Sequence, residues 1–285
     1  MIAALMPTPP FRGFFLNLDR SQARLDSMNA QLAAVGMSQA YQRVPAVDGP
    51  SLGPEYQTNL DRGNLGLWIT HERLIEANRS SDSHLHILED DSQLPKDAAQ
   101  SLPAMLQQAD KTHPAWDLIF TEVYLHMGIS IFRLVSKAKE AFHQTHQPVL
   151  APLKQIPFAG TSSVFVNKRS LEKYLRLLSG QWKQGLPLDL YLRSLINAGS
   201  LNALVTLPFL TTLSENTAQS EIQNAPLNQS HLVLNIYRRS VFKDADEAAL
   251  NNEIDRLSND VTVPGLTEIY LKVLRYCLSD NHVEI

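Results

Sequence analysis

The chain has 285 residues, of which 44% are hydrophobic, enough to bury a sizeable core; whole-chain disorder is excluded and one or two domains are expected. Its 25 Lys and Arg against 29 Asp and Glu give a formal net charge of -4, which offers no general attraction to a nucleic-acid backbone. A single cysteine, Cys277, excludes an intramolecular disulfide and a thiolate zinc site, and it fits a reducing, cytoplasmic compartment.

Residues 1–12 read as an N-terminal extension. Pro7, Pro9 and Pro10 interrupt it and no basic flank precedes an apolar run, so no signal peptide is expected. No later segment approaches the roughly 20 apolar residues of a membrane-spanning helix, and any membrane association is expected to be peripheral.

Residues 13–18 then form a short buried strand, with Asp19 and Ser21 offering oxygens to cap the helix that follows. Leu25, Met28, Leu32 and Val35 recur at helical spacing, and Gly36 stops the run. Residues 41–44 are β-compatible and exit through a turn containing Asp48, Gly49 and Pro50. Leu67, His71 and Leu74 share one face of a helix over 64–78, which turns His71 inward. Residues 84–88 make the next strand, followed at once by Glu89, Asp90 and Asp91 and by a helix starting near Pro95.

Residues 116–120 predict a further buried strand, whereas 127–155 read ambiguously as helix plus an exposed loop. Residues 158–166 form a strand with small residues at 160–163, and Leu171, Tyr174, Leu175 and Leu178 mark a helix that Gly180 ends. A helix over 188–197, a strand over 201–207 and two late helical patterns complete the chain. Strands alternating with helices favour an α/β fold with a mostly parallel sheet covered on both faces, and such sheets bind ligands beyond the carboxyl ends of their strands.

The acidic triplet lies where that rule puts a ligand. Three adjacent carboxylates repel one another, and following them directly on Ile87 and Leu88 raises the cost of keeping them charged. A hard divalent cation is the simplest compensator, and Glu89 and Asp91, two residues apart, can turn toward one ion. The competing reading is an acidic turn that caps the next helix.

Phe15-Leu-Asn-Leu-Asp-Arg-Ser21 with Arg24, Val44-Pro-Ala-Val-Asp-Gly49, Leu65-Gly-Leu-Trp-Ile-Thr-His71 and Leu88-Glu-Asp-Asp91 follow in one order. Trp116-Asp-Leu-Ile119, Phe158-Ala-Gly-Thr161 and Leu186-Pro-Leu-Asp-Leu-Tyr-Leu192 continue the series. Together these segments resemble glycosyltransferase family 25, the lipooligosaccharide and collagen galactosyltransferase-like enzymes. The resemblance covers roughly residues 13–210 and implies a GT-A-type Rossmann-like fold for a domain over 13–215; from the chain's own pattern, 216–285 read as a polar linker and helices packed on the core as an appendage. The resemblance also implies a UDP-sugar donor, often UDP-galactose, a manganese- or magnesium-type ion, and inverting transfer to a hydroxyl of a glycan or glycolipid acceptor.

Carried over residue by residue, the resemblance puts Asn17, Asp19, Arg20, Arg24 and Asp48 beside the donor, with Thr70, His71, Gly160 and Thr161. Glu89 and Asp91 flank the metal, and Asp90 lies nearer the donor's ribose or sugar. Thr70-His71 stands where the family has Ser-His, and residues 160–163 lack the aromatic or histidine that follows its Gly-Thr.

Asp189, just after Pro187 at a helix start, is the candidate general base, with an ordinary helix cap as the alternative. His71 is either a donor or acceptor contact or a core histidine, and Arg20 is favoured over Arg24 as a diphosphate contact. His84 with His86, and His143 with His146, share faces but lack a third ligand. Two other readings compete: a catalytically inactive nucleotide-sugar-binding or scaffolding protein on the same fold, and a nucleotidyltransferase, which the absence of a Gly-rich phosphate loop disfavours.

Overall fold

A computed structural model of the chain describes residues 10–125, 129–214 and 229–258. Its first half runs β1 (Phe11–Asn17), α1 (Gln22–Ala34), β2 (Tyr41–Pro45), α2 (Arg62–Ala77), β3 (His84–Glu89), β4 (Ser92–Gln93), α3 (Ala98–Thr112) and β5 (Leu118–Leu125). The second runs α4 (Ile129–Thr145), β6 (Val149–Pro152), β7 (Phe158–Val166), α5 (Leu171–Leu178), α6 (Leu188–Asn197), β8 (Ala203–Leu207), β9 (Thr212–Leu213), α7 (Gln229–Val241) and α8 (Glu247–Ser258).

Seven strands form the main sheet in the order β2-β1-β3-β7-β5-β8-β6. β2, β1, β3, β5 and β8 run one way while β7 and β6 run against them, so the sheet is mostly parallel as expected. Alternation along each strand feeds two cores. Phe15, Leu88 and Ile119 pack with Met28 and Leu32 of α1 and with Leu102, Met105 and Leu106 of α3. Phe14, Leu16, Ile87 and Phe120 face the other layer, which contains Trp68 of α2, Tyr174 of α5, Leu192 of α6, Ile236 of α7 and Ile254 of α8. Both sheet faces are thus covered, which accounts for the near-continuous apolar runs in β1, β3 and β5.

Punctuation in the sequence has its expected effect at several joints. Gly36 takes φ +70 after α1 and Gly180 takes φ +70 after α5, a left-handed geometry that ends a helix without Cβ strain. The side chain of Asp61 accepts the Asn64 N–H at 2.9 Å and caps α2.

Other expectations are corrected. Phe11 and Arg12 belong to β1, so the extension is shorter than 1–12; residues 1–9 lie outside the described residues. Ser21 occupies the N-cap position of α1 with no side-chain cap bond, and Asp19 turns to Arg43 instead. The third helix starts at Ala98 rather than near Pro95, whose carbonyl accepts the Ala98 N–H at 3.0 Å. Within 127–155 the chain forms α4 and then edge strand β6, which the ambiguous pattern did not separate. No described helix is long and apolar enough to cross a membrane.

Candidate active site at the strand ends

Parallel register brings the ends of the first three strands together, with Leu16 opposite Glu89 and Asn17 opposite Pro45. Antiparallel β7 starts at the same edge, so that Ser163 lies opposite Leu88 on one side and Glu122 on the other. Pairing between β5 and β7 shifts on both sides of Glu122. Such irregularities re-aim side chains. One rim therefore collects residues 17–24, 89–91, 122 and 160–163.

On the β1–β2 side the polar groups form a connected chain. Arg43 Nε donates to Asn17 Oδ1 at 2.9 Å, and Asn17 Nδ2 donates to Asp90 Oδ2 at 2.7 Å. Arg24 Nη1 donates to Asp90 Oδ1 at 2.9 Å and lies 3.8 Å from Asp91 Oδ2. Arg43 also pairs with Asp19 at 2.5 Å, and Arg20 pairs with Asp48 at 2.8 Å between two half-exposed side chains. Both oxygens of Asp90 are thus engaged and its orientation is fixed.

Its neighbours differ. Among the described residues, Asp91 Oδ1 is buried with no hydrogen-bond partner, and Glu89 receives one long side-chain bond, from Thr161 Oγ1 at 3.5 Å. Burial, then the charges of Asp91 and Asp90, push the Glu89 carboxyl up to about 8. Burial also raises Asp91, against the pull of Arg24. Ser214 N donates to the Asp91 carbonyl at 2.8 Å, and the short β4–β9 pair holds the segment after Asp91 in place.

On the β7–β5 side, Glu122 is almost fully buried and receives a forked pair of bonds from Arg238 of α7, through Nε and through Nη2 at 2.6 Å. Ser162 Oγ donates to the same carboxylate. Desolvation alone would lower the Arg238 pKa; Glu122 overrides it, with Asp91 and Glu89 adding to the effect, so the guanidinium stays charged. Among the described residues, the guanidiniums whose charge acts on Glu89 and Asp91 are those of Arg24 and Arg238, so that with Asp90 and Glu122 four carboxylates stand against two of them and negative charge is in excess when all are ionised.

That excess, the orphaned Asp91 oxygen and the hard oxygen donors fit one divalent cation of the magnesium or manganese type. Among the described residues no group of three or more His, Cys, Asp or Glu side chains is arranged to hold a metal. Glu89 and Asp91 would therefore leave the other positions to water and phosphate oxygens, as magnesium sites commonly do.

The remaining expected residues divide. Asp189, in the first turn of α6, accepts Gly160 N–H through Oδ2 and Leu190 N–H through Oδ1, each at 2.8 Å. It is joined to the β7 rim through Gly160 and is not the N-cap, a position Pro187 occupies. Thr70 is not joined to the rim: its hydroxyl donates to Gly66 O at 2.7 Å and accepts Val47 N–H at 2.8 Å, pinning the turn that carries Asp48. Gly66 permits that contact, because a Cβ there would lie 2.4 Å from Val47 O. His71 is fully buried in α2, with neither ring nitrogen hydrogen-bonded, and burial lowers its pKa to about 4.

His86 sits in a buried polar thread beneath the rim, bonded to Tyr41 Oη at 2.5 Å and Ser163 Oγ at 2.9 Å, while His84 accepts Lys168 N–H at 3.2 Å. Both histidines are structural.

Sequence reasoning missed Arg43, Glu122, Ser162 and Arg238. Glu122 did carry a signal, as the lone charged residue in the mostly apolar run 118–125, where a buried carboxylate calls for a cationic partner. Arg238, in a polar stretch 116 residues away, carried none. No protein-family model matches the chain, and no curated protein matches it.

Proposed function

We propose that this protein is a metal-dependent, inverting glycosyltransferase that moves a hexose from a UDP-sugar to a hydroxyl of a glycan or glycolipid acceptor. The observation that carries the reading is one strand-end rim where, among the described residues, Glu89 and Asp91 keep spare oxygens and carboxylates outnumber guanidiniums, beside the Asn17, Arg24 and Arg43 cluster. The sequence motifs that resemble family 25 supply the donor class, and galactose is the hexose they favour.

Glu89 and Asp91 would hold the ion, which when bound stabilises charge on the departing diphosphate as a Lewis acid. Asn17 and Arg24 fix Asp90 so that it presents a set carboxylate edge toward the donor's sugar or ribose. Asp189 takes the proton of the acceptor hydroxyl as that oxygen bonds to the anomeric carbon and the bond to the diphosphate oxygen breaks from the opposite face. The N–H groups of Gly160 and Leu190 orient its carboxylate.

The test is a panel of UDP-sugars incubated with purified protein and manganese, with UDP release read with and without glycan acceptors. Release from one donor is expected. Binding without release identifies a nucleotide-sugar-binding protein, and neither binding nor release overturns the reading. Asp189→Asn is expected to lower the turnover rate about 10²-fold or more while donor affinity changes little. A change confined to donor binding removes Asp189 as the base.

A further inference from the structure

Arg238 reaches the rim from α7, outside the segments that resemble any transferase motif, and its setting is unusual. Its side chain is 12% exposed and that of its partner Glu122 is 1% exposed. A buried ion pair gives no net stability over a well-packed apolar pair of similar volume. Packing alone therefore does not account for it.

Its geometry suggests a use. Nε and Nη2 bond to Glu122, and Nη2 also reaches Ser162 Oγ at 3.3 Å. Among the described residues Nη1 makes no hydrogen bond. Glu122, itself anchored by Ser162, acts as a brace that sets the plane of the guanidinium. Strand β7 also gives up a side chain beside it: Gly160 sits at φ +91, and a Cβ there would stand 3.7 Å from Nη2. Thr161, the neighbour of Ser162 in β7, reaches Glu89 Oε1 at 3.5 Å, so the guanidinium and the carboxylates assigned to the cation meet along one short stretch of β7.

We infer that Arg238, braced by Glu122, is a phosphate-binding residue whose Nη1 edge takes a phosphoryl oxygen of a diphosphate shared with the cation at Glu89 and Asp91. This rests on the proposed function and deepens it. A fork held rigid by a carboxylate loses little freedom on binding and offers directed N–H donors to a tetrahedral anion. With four carboxylates close by, the anion binds only when the divalent ion is also present.

The test compares UDP with uridine on the full chain in manganese, by calorimetry or equilibrium dialysis. The ratio of the two affinities isolates the phosphates, which a purely structural role of Arg238 would leave unmoved. Arg238→Lys keeps a charge opposite Glu122 and loses the fork; the ratio is expected to fall about tenfold. The double variant Glu122→Gln with Arg238→Gln removes both buried charges together; the ratio is expected to fall about a hundredfold while uridine affinity holds. Melting curves identify which variants are folded, and either folded variant decides. An unchanged ratio in a folded variant overturns this inference and leaves the proposed function standing. Wild-type protein that binds neither ligand better than the other in manganese overturns both.

Discussion

The two flanks of the acidic triplet are built on different principles. Toward β1 and β2, Asn17 at the end of β1 and Arg24 in the first turn of α1 bond Asp90 directly, and Arg43 of the parallel neighbour β2 braces Asn17. Toward β7 and β5, the chain turns antiparallel, pairing shifts on both sides of Glu122, and the counter-charge arrives from α7. The first flank satisfies its carboxylate completely. Among the described residues, the second leaves Asp91 Oδ1 without a partner and Glu89 with a single long side-chain bond. A carboxylate bonded at both oxygens is held in one orientation, whereas an under-bonded buried one has oxygens to spare for a cation.

The contrast is broken most directly at Asp91. Asp91→Ala should lower transfer about 10³-fold, roughly 4 kcal/mol, at limiting manganese while the melting temperature stays near wild type. Near-normal turnover would put the under-bonded oxygen outside the chemistry.

The next effect falls on stability. Arg238→Gln alone leaves a buried unpaired carboxylate and should cost about 3 kcal/mol or more in denaturant unfolding. Adding Glu122→Gln should recover most of that loss, and a merely additive double variant would show that the two charges do not act as a pair.

Acid titration probes the helix behind the β1–β2 flank. His71 is held neutral by burial, with its pKa lowered to about 4 against 6.5 for the ordinary group. The unfolded chain therefore takes up a proton that the native state refuses. Stability is fully present above pH 6.5 and falls as pH drops toward 4, by up to roughly 3 kcal/mol from this group. His71→Phe should flatten that part of the stability profile, and an unchanged slope would assign the acid sensitivity to other groups. The smallest effect belongs to Asn17→Ala, which removes the amide between Arg43 and Asp90 and should cost about 1 kcal/mol of stability. A turnover loss as large as that of Asp91→Ala would erase the distinction between the flanks.

Legibility follows the same division. Residues 13–18, 84–88 and 158–166 read as strands because buried runs are rich in apolar residues, 41–44 was legible only as a short β-compatible run before a turn, and Gly36 and Gly180 marked helix ends for steric reasons. The acidic triplet was legible because unsolvated adjacent charge is costly. Strand β6 was hidden because an edge strand of four residues makes too short a pattern. Thr70 looked like a ligand contact since sequence shows a hydroxyl but not which backbone groups, here Gly66 O and Val47 N, claim it. Arg238 was invisible because its meaning comes from the packing of α7 on the sheet, which local pattern does not encode.

The late position of Arg238 also has a bearing on biosynthesis. As the chain leaves the ribosome, Glu122 and the acidic triplet emerge well before the helix that carries their counter-charge. The nascent sheet must close its strand-end rim with those carboxylates hydrated or protonated, and it dries there only when α7 docks. Completion of this end of the sheet therefore waits on α7, and a nascent chain stalled before residue 229 would lack the Arg238 counter-charge to Glu122.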